Sequence, residues 1–135
     1  MNYKHIIVAV TAFVLPCVGL AANSFIGLWE GVDPDDGGHQ VLSISNGGQG
    51  GVNLLLYDTY FTLCNGGRGL SSGSGTPARK TLVSEDYKTY CFDTQQTKAG
   101  ARTYKMDPSG NILKVDRSSS NLAPVIYHRT NTSTP

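Results

Sequence analysis

Downstream of residue 23, apolar and polar side chains alternate with a period of two in one short run after another, and no stretch carries the three-to-four spacing of an amphipathic helix. Phe25 to Val32 reads as a first strand. In His39 to Ser45, Val41, Ser43 and Ser45 take one face while Leu42 and Ile44 take the other, the pattern of a strand with one buried side. Val52 to Tyr57 is apolar apart from Asn53, Tyr60 to Cys64 alternates again, and Asp58-Thr59 suits a bulge or tight bend between them. Thr81 to Ser84, Tyr87 to Asp93, Ala101 to Met106, Ile112 to Asp116 and Val125 to Arg129 complete the series.

Turn chemistry separates these runs. Asp33 to Gly38, the glycine-rich stretch from Asn46 to Gly51, and Thr94 to Gly100 are all polar or small. Asp107-Pro108-Ser109-Gly110-Asn111 is the clearest hairpin signal, with Pro and Gly where a turn needs a fixed and a positive φ. Asn65 to Lys80 is dominated by Gly and Ser, with room for a short strand at Arg68 to Ser72, and reads as an exposed, flexible loop. Eight or nine short strands in sequence predict an all-β fold, a small antiparallel up-and-down barrel of about eight strands whose closure removes its own edges. A two-layer β-sandwich satisfies the same strand count and stands as the alternative. Leu42, Ile44, Leu54, Leu56, Phe61, Leu63, Leu113 and Ile126 compete for the interior.

The beginning of the chain changes the picture of where this domain works. Lys4 precedes an apolar run from Ile6 to Leu15 broken only by Thr11, then Pro16 and small residues, the layout of a secretory signal peptide over residues 1–22. About ten apolar residues at a rise near 1.5 Å cover half of a bilayer core of roughly 30 Å, so no membrane span is expected. Cys17 admits a lipoprotein reading, although the Pro16 ring obstructs the extended fit that a signal peptidase requires. The expected organisation is a single domain over 23–129 and a disordered tail over 130–135, in a secreted or periplasmic protein. Two cysteines then remain, Cys64 and Cys91, and export implies that they form a disulfide. Closing that loop is worth ~3–4 kcal/mol in the chain-entropy estimate.

Without Lys4 the chain carries ten basic and ten acidic side chains and no basic cluster longer than Arg79-Lys80, which argues against nucleic acid as a partner. No G-x-S-x-G elbow occurs, and the glycine runs lack the strand-to-helix setting and Lys of a phosphate loop. Asp33, Asp35 and Asp36 beside Gly37 have some of the composition of a calcium loop but not its spacing, and position 43 is Ser where a Glu is needed. His39 and His128 belong to an early and the last strand, and with Glu30 they form the one route to a metal or acid–base site. Solvent-facing strand residues account for all three. No catalytic residue, metal or cofactor is expected.

Phe25-Ile26-Gly27-Leu28-Trp29 resembles the G-x-W that opens the first strand in the calycin superfamily of lipocalins, avidins and small bacterial protease inhibitors. That resemblance implies a barrel in which Trp29 packs near the closed end against a basic side chain of the last strand, here Arg129. The chain carries none of the other lipocalin motifs, and its one tryptophan does not furnish an avidin-like biotin pocket.

Tyrosines are the remaining lead, since Tyr57, Tyr60, Tyr104 and Tyr127, with Tyr87 and Tyr90, bring amphipathic rings to strands that can line an opening or a partner surface. The leading expectation is an exported, non-enzymatic, monomeric binding domain that holds a small apolar or amphipathic ligand, with Tyr57, Tyr60, Tyr104 and Tyr127 as candidate ligand contacts. The alternative is a protein-interaction module such as an inhibitor of a secreted or periplasmic hydrolase, engaging through Asn65 to Lys80 or the N-terminal residues.

Overall fold

Eight strands follow one another in the computed structural model, which describes residues 24–130. They are β1 (Gly27–Val32), β2 (His39–Gly48), β3 (Gly51–Phe61), β4 (Gly67–Ala78), β5 (Thr81–Cys91), β6 (Gln96–Met106), β7 (Ile112–Val115) and β8 (Ile126–Arg129). Each pairs antiparallel with the next, and β1 pairs with β8, so the sheet closes as a meander barrel rather than splitting into two layers. The closing register sets Trp29 opposite Arg129 and Gly31 opposite Tyr127. The predicted signal segment, Cys17 and residues 131–135 lie outside the described residues.

Inward positions follow the period of two. Leu42 and Ile44 on β2, Val52, Leu54 and Leu56 on β3, Leu82 on β5, Tyr104 and Met106 on β6, Leu113 and Val115 on β7 and Tyr127 on β8 fill the barrel with Phe25, Trp29 and Val125. Two of the expected core residues turn outward instead, Leu63 and Ile126. Leu63 belongs to a short 3-10 turn, Thr62–Cys64, where the strand period lapses. Along β8 the inward phase falls on Tyr127, because Arg129 must reach Trp29 from the same face.

The segment from Asn65 to Lys80 is not a loop. Its residues form β4, a twelve-residue strand paired on both sides. Gly69, Ser71, Gly73, Gly75 and Pro77 occupy its inward phase, and their smallness makes room for larger side chains opposite. A Cβ on Gly69 would lie 2.8 Å from the Phe61 ring, and one on Gly75 would lie 2.6 Å from Leu82. Composition suggested a flexible loop, but here Gly and Ser are the wall against which bulkier residues pack.

One end is closed by the chain itself. Arg129 lies over the Trp29 ring, its guanidinium carbon 4.1 Å from the centroid, and donates to the Ile26, Ser24 and Gly110 carbonyls at 2.7, 2.6 and 3.1 Å. Trp29 in turn donates its indole N–H to the Phe25 carbonyl at 3.0 Å. At the other end, a disulfide ties Cys64 in the β3–β4 connection to Cys91 at the end of β5, with Cα atoms 5.4 Å apart.

Candidate functional site

The barrel interior changes character along its axis. Near Trp29 it is packed with Ile44, Val52, Leu54 and Leu113, whereas toward the disulfide end the inward positions become Gln40, Asp58, Ser71, Ser84, Tyr87, Thr89 and Arg102. Here the packing opens into a cavity of about 580 Å³. Its floor includes Gln40, Asp58, Tyr87 and Thr89, and its rim includes Phe61, Leu63, Leu122, Lys98, Arg102 and Arg117. That volume lies within the range of small-molecule sites, roughly 300–1,000 Å³.

Asp58 reaches the interior because it continues the inward phase of Val52, Leu54 and Leu56 along β3, and the bulge that follows, between Asp58 and Phe61, turns Phe61 inward as well despite the odd spacing. One of its oxygens accepts the Gln40 amide N–H at 2.6 Å, and the other accepts the Tyr60 backbone N–H at 3.0 Å. Gln40 takes its own hydrogen bond from the Tyr127 hydroxyl, which aims the amide N–H at Asp58. Burial pushes the Asp58 carboxyl pKa up; the two hydrogen bonds oppose that shift and the neighbouring Asp36 and Asp33 add to it.

The tyrosines divide between the two faces of the wall. Tyr104 and Tyr127 are buried beneath the cavity with ring centroids 6.4 Å apart, and Tyr104 donates to the Tyr87 hydroxyl at 3.4 Å. Burial raises the pKa of all three phenols, so they are neutral donors at pH 7. Tyr57 faces outward, 6.5 Å from the Phe92 ring, and Tyr60 is exposed beside Gly66. Tyr57, Leu70 and Tyr90 sit side by side across β3, β4 and β5, and Tyr90 meets Phe92 edge-on at 5.8 Å. The structure therefore brings Tyr104 and Tyr127 together inside and leaves Tyr57 and Tyr60 on the outer surface.

Charged side chains close off part of the mouth. Arg117, in the β7–β8 connection, grips Asp33 through two nitrogens at 2.7 and 3.0 Å, Asp35 at 2.6 Å and the Ala123 carbonyl at 2.7 Å. This pins the 116–125 connection to the β1–β2 connection. Both Arg117 and Asp33 side chains are at least nine-tenths buried, a setting in which a bidentate ion pair is held firmly. Asp33 and Asp36 also accept the backbone N–H groups of Asp35 and Gly38, so these carboxylates organise their own turn. His39 approaches Glu30 at 4.0 Å, and Glu30 stands opposite His128 in the register, but the three lie on the outer wall away from the cavity.

Gln40, Asp58 and Arg102 were not singled out by sequence reasoning. A signal was present: each continues the inward phase of its strand, Gln40 before Leu42 and Ile44, Asp58 after Leu54 and Leu56, Arg102 before Tyr104 and Met106. A polar residue in step with a buried face marks an interior polar site. Comparison with protein-family models, with curated proteins and with solved structures returns no match for this chain.

Proposed function

We propose that this chain is an exported, non-enzymatic binding barrel of calycin-like construction that takes a small amphipathic molecule into the cavity at its disulfide-linked end. The observation that carries the reading is the cavity itself, hydrogen-bonding at its floor through Gln40, Asp58 and Tyr87 and apolar at its rim through Phe61, Leu63 and Leu122. Such a lining orients a polar head inward and shelters an apolar body above it. The disulfide supports an oxidising compartment, and no helix among the described residues is long and apolar enough to cross a membrane.

Gly100 provides the test. It lines the cavity, and a Cβ placed on it meets nothing within 4 Å, so Gly100→Trp fills the hollow without disturbing the wall. Native mass spectrometry of the secreted protein is expected to show an adduct that disappears on denaturation and is missing from G100W. A bare native mass, together with no uptake of any member of a panel of small amphiphiles, overturns the reading.

A second reading has its own observation. The outward row of Tyr57, Leu70 and Tyr90 with Phe92 and the exposed Leu55 presents aromatic side chains of the kind that anchor protein interfaces. It makes the outer face of β3–β5 the contact surface for a secreted or periplasmic hydrolase. Capture of such an enzyme by the native protein and its loss on Tyr90→Ser supports it, and capture unaffected by Y90S rejects it.

A further inference from the structure

Two opposite charges face the mouth cavity without meeting. Asp58 is buried, yet its only hydrogen-bond donors are a side-chain amide and a backbone N–H, and no cation lies within ion-pair distance of it among the described residues. A carboxylate offers about four acceptor positions, and a buried charge is costly unless paired. Arg102 points inward from β6 with its guanidinium 5.6 Å from the Tyr87 ring centroid, and it too has no ion-pair partner among the described residues. The remaining charges at the mouth are engaged: Arg117 by Asp33 and Asp35, Asp116 by Lys105, Lys98 by the Leu63 carbonyl, and Asp36 by Thr62 and Gly38.

The wall separates the two unmatched groups. Gln40, which holds Asp58, comes from β2, four strands from β6 in a closed ring of eight, and Asp58 itself comes from β3. The cavity thus has a negative pole on one side and a positive pole across from it, with Phe61, Leu63 and Leu122 at the rim.

We infer that the ligand is a small zwitterion of amino-acid type, its ammonium group seated against Asp58, its carboxylate at Arg102, and its apolar side chain against Phe61, Leu63 and Leu122. The inference rests on reading the cavity as a ligand site and deepens it. Both ends of a zwitterion form charge-assisted hydrogen bonds there, whereas a molecule with one charge leaves one pole unsatisfied.

Three matched series test it, built on the side chains of leucine, phenylalanine and tryptophan. Each contains the amino acid, the amine without the carboxylate, the acid without the amine, and an uncharged alcohol. Isothermal titration with the secreted protein at neutral pH is expected to show, in at least one series, the amino acid binding about tenfold more tightly than either singly charged relative. Arg102→Gln should bring the amino acid down to the affinity of its matching amine, and Asp58→Asn should bring it down to that of its matching acid. Arg102 is only partly buried, so R102Q folds even if D58N does not. If the amine equals the amino acid, if R102Q changes nothing, or if the acid or alcohol binds best, the zwitterion is wrong while the cavity remains a ligand site. If no member of any series binds, both readings fall together.

Discussion

Replacing Arg129 with Met removes the clasp at the closed end while keeping most of the aliphatic stem that covers Trp29. The loss can be estimated from the contacts. Two of the three carbonyl acceptors, on Ile26 and Gly110, are part-buried, and charge-assisted hydrogen bonds of this kind are worth about 1.5 kcal/mol each at the lower end of their range. Stacking of the guanidinium on Trp29 adds about 1 kcal/mol. The Ser24 carbonyl is exposed and recovers its bond from water, so it is left out. R129M should therefore cost ~4 kcal/mol, a large share of the 5–15 kcal/mol typical of a whole domain. Arg129→Lys keeps a cation over the ring but loses the planar fork, and should cost about half as much. The assay is urea unfolding at neutral pH followed by fluorescence, which reports from the clasp because Trp29 is the sole tryptophan, with far-UV circular dichroism as the independent probe. A loss below about 1 kcal/mol for R129M, or wild-type stability for R129K, refutes the assignment of closure to this residue.

Gly69→Ala places a methyl group 2.8 Å from the Phe61 ring and 2.9 Å from the Tyr90 carbonyl, so it should destabilise by ~1–3 kcal/mol in the same assay; a neutral result would mean that β4 is not held against Phe61. Converting Cys64 and Cys91 together to Ser should cost ~3.5 kcal/mol for a loop spanning 27 residues, measured as a shift in the denaturation midpoint against the oxidised protein. Asp58→Asn tests the sign of the buried charge. Because burial raises the Asp58 carboxyl pKa in the folded protein, the folded state binds the extra proton between the ordinary carboxylate pKa and the raised one. Wild-type stability therefore falls as pH climbs through that window, and the stability of D58N relative to wild type should rise over the same window. Parallel stability profiles for the two proteins would show that Asp58 titrates normally.

How far the residues foretell this molecule depends on which rule governs each segment. Period-two alternation places β2 and most of β3 well, and the Asp107 to Asn111 turn emerges as a tight β6–β7 connection with Gly110 at φ 77°. Closure is legible in outline, since Gly27, Trp29 and Arg129 meet as the resemblance implies. The β4 strand is illegible by propensity, because Gly and Ser are poor strand formers, and only the bulk of Phe61 and Leu82 against Gly69 and Gly75 makes small residues favourable. The cavity was hidden for a related reason. Its floor rests on Gln40 and Asp58 and its rim on Arg102, polar residues that composition alone cannot distinguish from surface ones and that only the inward phase of their strands places inside.

Pairing of β1 with β8 brings Ser24 and Thr130 to the same end of the barrel, where Arg129 donates to Ser24 and Thr130 donates to the Leu28 carbonyl. The cavity opens at the opposite end, framed by the disulfide and the Arg117 clasp. Anything joined at either of these two positions, whether a bead, a chip surface or a fused carrier protein, leaves the mouth of the cavity facing away from it. The same proximity lets a short linker join residues 24 and 130 while new ends are cut at the Gln49-Gly50 turn, so the barrel can be rewired as a circular permutant without crossing its opening.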